Sequence, residues 1–176
     1  MKTVIALAGS NSSTSINKQL VTYAGSLLEG IEVNVLDLNN FEMPIYSLDR
    51  EATNGYPKKA VELVELIRNA DGILISLAEY NGAYSSAFKN IFDWMSRIEQ
   101  KTFLGKPLLL MAASPGGRGG ASVLAMASDR FPRHDAHITG VFSLPFFQKN
   151  FENGAITSSE LKNQLKSEID TFIMAL

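Results

Sequence analysis

Five short apolar runs, each followed by a longer stretch with apolar residues at helical spacing, leave few folds open to this chain. The runs are Val4–Ala8, an alternating Ile31, Val33 and Val35, then Gly72–Leu77, Leu108–Ala113 and His137–Phe142. Runs without polar alternation need apolar cover on both faces, as parallel strands have when helices lie above and below them. The alternating second run belongs near a sheet edge. Helical spacing follows over residues 16–28, 57–69, 85–99, 119–131 and 158–175; in the third of these, Phe88, Ile91, Phe92, Met95 and Ile98 share one side. Pro57 suits the first turn of its helix, and Thr157 or Ser158 caps the last. Residues 39–56 contain Pro44, Asn54 and Gly55 with little periodicity and read as the longest loop, a wall for a site. The pattern predicts one doubly wound α/β domain over residues 1–176, with ligands at the carboxyl ends of the strands near a topological switch point.

Composition removes several functions. A formal charge of −2 over 176 residues gives no basic footprint for nucleic acid. With no cysteine there is no disulfide, thiolate metal site or thiol nucleophile, so any redox chemistry needs a borrowed cofactor. The apolar start is too short for a signal h-region and no stretch is long enough to span a membrane, which predicts a soluble, cytoplasmic protein without a membrane partner. Ser114 with His134, Asp135 and His137 suggests a hydrolytic triad, but Ala112 breaks the GxSxG elbow. Two histidines without a good third ligand give no metal site. Lys58, Lys59 and Glu62 read as a solvated helix face.

Three loops after the first, third and fourth strands carry unusual residues and open on one sheet edge. Gly9-Ser10-Asn11-Ser12-Ser13-Thr14-Ser15-Ile16-Asn17 leads oxygen-bearing side chains into a helix whose first amides lack partners, which suits a phosphate or, equally, a simply capped polar loop. It is neither a P-loop nor a GxGxxG fingerprint. Glu79-Tyr80-Asn81-Gly82 can stack on and hydrogen-bond a planar ligand; alternatively Glu79 is a solvated carboxylate and Tyr84 packs on the next helix. Ser114-Pro115-Gly116-Gly117-Arg118-Gly119-Gly120 lets backbone amides approach a flat ring, or is a flexible turn.

With these motifs, and with Lys89-Asn90 and Asp93-Trp94 after the second, nearly the whole chain resembles the NADPH-dependent FMN reductases and related quinone, azo and chromate reductases. The resemblance implies a flavodoxin-like three-layer sandwich, a five-stranded parallel sheet in the order 2-1-3-4-5 with helices on both faces. It implies bound FMN, with NADPH or NADH as donor and a small acceptor such as a flavin, quinone or azo compound. The phosphate falls to the first loop, where Ser10, Ser15 and Asn17 match, with Ser12 and Ile16 between them. Glu79, Tyr80, Asn81 and Gly82 match ring and ribityl contacts; Ser114, Gly116, Gly117 and Arg118 match the third loop. Hydride would move in a ping-pong cycle through the flavin, without a catalytic side chain, Arg118 being a candidate for stabilising charge on the reduced ring.

Two departures matter. Ser12 stands where the family often has arginine, and Ala78 where it often has proline, so phosphate relies on neutral donors and the helix terminus, with Lys18 the nearest cation. Weaker FMN binding or altered salt dependence is the expected consequence. A non-catalytic FMN electron carrier and a module that has lost the cofactor are the competing readings. The resemblance also implies a homodimer or homotetramer; Asp93, Trp94, Met95 and Ile98 form either an exposed apolar stripe for it or ordinary core.

Overall fold

A computed structural model describes residues 1–176. The chain opens with strand β1 (Thr3–Gly9), helix α1 (Ile16–Ser26) and strand β2 (Glu32–Leu36), then a 3-10 turn over Leu38–Phe41. Helices α2 (Leu48–Asn54) and α3 (Lys58–Asn69) lead to strand β3 (Gly72–Leu77) and a hairpin of two-residue strands, β4 (Glu79–Tyr80) and β5 (Ala83–Tyr84). Helix α4 (Ser86–Ile98), strand β6 (Pro107–Ala113), helix α5 (Ala121–Arg130), a 3-10 turn (Phe131–His134) and strand β7 (His137–Leu144) follow. The chain ends with α6 (Phe147–Asn150), a hairpin of β8 (Phe151–Glu152) and β9 (Ala155–Ile156), and helix α7 (Ser159–Ala175) capped by Ser158.

The main sheet is parallel throughout, ordered β2-β1-β3-β6-β7, which is the 2-1-3-4-5 order once the short hairpin strands are set aside. Alternate residues serve alternate faces, as strand geometry requires. Val4, Ala6 and Ala8 pack with Leu20, Val21 and Ala24 of α1 and with Leu165, Ile169 and Phe172 of α7. Ile5 and Leu7 pack on the opposite face with α3, α4 and α5. Strand β2 is an edge, as its alternation predicts.

Two expectations need correction. Residues 39–56 are not an open loop. Ser47 caps α2 by accepting from the Arg50 amide at 3.2 Å, and Glu51 within it accepts from the Tyr46 hydroxyl and Arg97 Nε. The segment is pinned to α4, where Asn90 Oδ1 accepts from the Tyr46 amide and Trp94 Nε1 donates to Pro44 O, each at 2.8 Å. Second, α5 begins at Ala121 rather than Gly119, because Gly119 and Gly120 sit at φ values of 56° and 77°, outside right-handed helix. Of the two readings of α4, ordinary core is the observed one: Trp94 and Met95 are buried in this monomer and Asp93 pairs with Lys89. The exposed large apolar residues nearby are Ile45, Leu48 and Tyr56.

Candidate functional site at the carboxyl edge of the sheet

Strand register brings the three loops side by side. Gly9 pairs with Leu77, and Leu77 with Ala112, so β1, β3 and β6 end at the same level. Between β1 and β3 the winding reverses, where a doubly wound sheet opens its crevice. Hydrogen bonds then join the loops. The Ser85 hydroxyl donates to Gly9 O at 2.8 Å, and Glu79 Oε2 accepts from the Val123 amide of α5 at 2.9 Å.

The first loop folds on its own hydroxyls. Ser10 Oγ accepts from the Ser12 amide at 3.2 Å, Ser12 O from the Ser15 amide, and Ser12 Oγ from the Thr14 amide. Ser15 is the N-cap of α1, its Oγ accepting from Lys18 N at 3.1 Å. The amides of Ile16 and Asn17 have no acceptor within the protein, as first-turn amides do not, and the Ser10 and Ser15 hydroxyl protons remain free to donate. Asn17 faces inward. Its Oδ1 accepts from the Ser76 hydroxyl and the Ala113 amide, both at 2.8 Å, and its Nδ2 donates to Ala113 O at 3.2 Å. Only its backbone is left for a ligand. Lys18 is committed elsewhere, 2.5 Å from Asp37 Oδ2, and this bond with the Asn39 amide holds the Asp37 carboxyl down at about 2.

The second loop is a tight hairpin. Asn81 and Gly82 occupy φ values of 51° and 74°, the pair of left-handed residues that a type I′ turn demands. Tyr84 stacks on Phe131 and tilts against Phe88, so the packing role weighed for it is the observed one; burial pushes its phenol up to about 12. Tyr80 is 55% exposed at the rim. Glu79 is no free loop carboxylate, since it serves the start of α5.

In the third loop Ser114 Oγ donates to Gly116 O at 2.9 Å, and the Phe146 amide reaches the same oxygen at 3.0 Å. A Cβ on Gly117 would stand 2.7 Å from the Phe146 ring, whereas one on Gly116 would meet open space. Arg118 Nη2 donates to Ser122 Oγ at 3.1 Å. The amides from Gly116 to Gly120 donate to nothing in the protein, an array of donors suited to a heterocycle with carbonyl and nitrogen acceptors. Phe146, half-exposed and itself at a φ of 48°, is the wall residue that sequence inspection misses; only its place one residue beyond Pro145 after the last strand could have pointed to it.

These features fit FMN: hydroxyls and first-turn amides for a phosphate, then an aromatic rim and free glycine amides for a flat ring. Among known proteins, the quinone reductase of Escherichia coli K12 is 35% identical over 120 residues, 58% of this chain. An NAD(P)H-dependent FMN reductase of Pseudomonas aeruginosa is 34% identical over 119 residues, 67% of this chain. Either match spans 63% of the relative's own length. A solved flavoenzyme NAD(P)H:(acceptor) oxidoreductase from Paracoccus denitrificans superposes with a TM-score of 0.80 at 26% identity, over 99% of this chain and 97% of the other. The sequence model of the NADPH-dependent FMN reductases matches residues 2–149, and the chain belongs to that family.

Proposed function

We propose that the chain is an NAD(P)H-dependent, FMN-binding oxidoreductase passing electrons to a small acceptor such as a flavin, quinone or azo compound, in a cytoplasmic setting. The observation that carries this reading is the meeting of the unpartnered Ile16 and Asn17 amides of α1 and the unpartnered Gly116–Gly120 amides on one sheet edge. Bound FMN would supply the two-electron chemistry, collecting hydride from the nicotinamide and releasing the electrons in a ping-pong cycle. The chain's residues bind and orient. Ser10, Ser12, Ser15 and the Ile16 and Asn17 amides take the phosphate; Tyr80, Asn81 and Gly82 border the ring on one side, Ser114, Gly116 and Gly117 on the other. The glycine amides and Arg118 stabilise negative charge on the ring's acceptor edge. Sharing of Ile45, Leu48 and Tyr56 with a second copy accounts for the homodimer or homotetramer of this reading.

Titration of the purified protein with FMN, followed by flavin fluorescence, tests binding. Consumption of NADPH or NADH with a quinone then separates an enzyme from a carrier. Fluorescence quenching together with steady turnover is the expected result; unquenched flavin would end the proposal, and binding without turnover would leave a carrier. Light scattering reads the oligomeric state directly.

A further inference from the structure

Resting on that flavin reading, we propose that Glu79 is a positioning residue whose carboxylate fastens the Tyr80-Asn81-Gly82 turn to helix α5 and so sets the gap between the second and third loops. Helix α5 starts without a side-chain cap, because its N-cap is Gly120, where Ser, Thr, Asp or Asn would ordinarily satisfy an amide. The Val123 amide is satisfied instead from 44 residues earlier, by Glu79 Oε2 at 2.9 Å. A carboxylate there is favoured twice, as acceptor and as negative charge at the positive end of the helix.

The hairpin converts this bond into a placement. Successive strand residues face opposite ways, so turning Glu79 towards α5 delivers Tyr80 outwards to the rim. Across the hairpin, Tyr84 is held by Phe131 and Phe88. With Glu79 and Tyr84 both tied down, the turn between them has one place to lie. Its tip meets the same helix end: the Ser122 Cβ would stand 3.9 Å from a Cβ on Gly82, and Ser122 accepts from Arg118 of the third loop.

The experiment compares wild type, Glu79→Gln and Glu79→Ala by FMN titration, by the visible spectrum of the bound flavin and by hydrogen exchange of the Val123 amide without flavin. Glutamine keeps a carbonyl acceptor, so Glu79→Gln should stay within about threefold of wild-type affinity and keep the amide protected. Glu79→Ala should expose that amide, weaken FMN at least roughly tenfold and alter the bound flavin's band shape. Unchanged affinity and spectrum in Glu79→Ala would overturn the proposal. So would a glutamine variant as impaired as alanine with Val123 still protected, since that outcome makes the charge act on the ligand itself. A wild-type protein that leaves FMN fluorescence unquenched would overturn the flavin reading and the positioning role together, and the wild-type titration alone distinguishes that case.

Discussion

Lys18 Nζ lies 2.5 Å from Asp37 Oδ2, which commits the sole cation of helix α1 to the end of strand β2. The loop over residues 10–17 holds no Lys or Arg, so the proposed phosphate site works with neutral donors and the helix terminus. FMN affinity of the wild type should therefore respond weakly to salt. Asp37→Asn releases Lys18, and the freed ammonium should tighten FMN by about fivefold at low ionic strength, with a gain that fades as salt rises. Titrations at several salt concentrations check both slopes.

The same pair predicts an acid limb of stability. The Asp37 carboxyl is held at about 2 in the folded chain, below its ordinary value near 3.8, first by Lys18 and then by the Asn39 amide. A depressed carboxyl contributes stability that is present above its unfolded value and lost as pH falls through its folded one. Both side chains are about a third exposed, so the contribution is at most about 1 kcal/mol. Urea unfolding of wild type and Asp37→Asn should accordingly differ at neutral pH and converge between about pH 4 and 2.

Asn17 joins α1 to two strands at once, through Ser76 and both backbone groups of Ala113. All of these groups are buried, so truncation leaves an unpaired amide and hydroxyl in the core. Asn17→Ala should cost about 2–4 kcal/mol in urea unfolding. Asn17→Asp should be worse at neutral pH than at pH 4, because a buried carboxylate then faces Ala113 O without its amide protons.

What could be read in the chain, and what could not, follows from where each signal resides. Buried parallel strands such as Gly72–Leu77 need apolar residues on both faces, so the strands and the helices covering them were legible, whereas the sheet order came only from the family resemblance. Helix α2 buries none of its residues and so leaves no apolar period. The hairpins at 79–84 and 151–156 are too short to show alternation; their signal is the turn itself, Asn81-Gly82 and Asn153-Gly154, all at positive φ. Side-chain direction was the least legible. Ser10, Ser15, Asn17 and Glu79 all stand on site loops by residue type, yet Asn17 turns into the core and Glu79 onto another helix, choices made by tertiary partners far along the chain.

The glycines of the third loop divide into structural and ligand-facing positions. Gly120 has a φ of 77° and a Cβ there would lie 2.6 Å from Ala112 Cβ on strand β6, which cannot yield. Gly120→Ala should cost about 2–4 kcal/mol. Gly116 meets nothing within 4 Å and lacks a left-handed φ, so Gly116→Ala should leave the melting temperature within about 1 °C. If ring contacts run along the glycine amides, the added methyl should nevertheless weaken FMN roughly tenfold. An unchanged affinity would move the ring away from Gly116.

Tyr84 carries a buried hydroxyl without a hydrogen-bond partner, as does Tyr23. Removing an orphaned group removes its desolvation cost, so Tyr84→Phe should stabilise the fold by about 1 kcal/mol at neutral pH while keeping the ring's stack on Phe131. Burial raises the folded phenol from 10.0 to about 12. A raised value means stability fully present below pH 10 and lost as pH climbs towards 12, where the unfolded phenol ionises and the folded one does not. The advantage of Tyr84→Phe over wild type should therefore widen across that window in urea unfolding. Part of the alkaline loss should persist in the variant, because burial raises Tyr23 and Tyr46 as well, and the double change to phenylalanine at 23 and 84 should flatten the limb further.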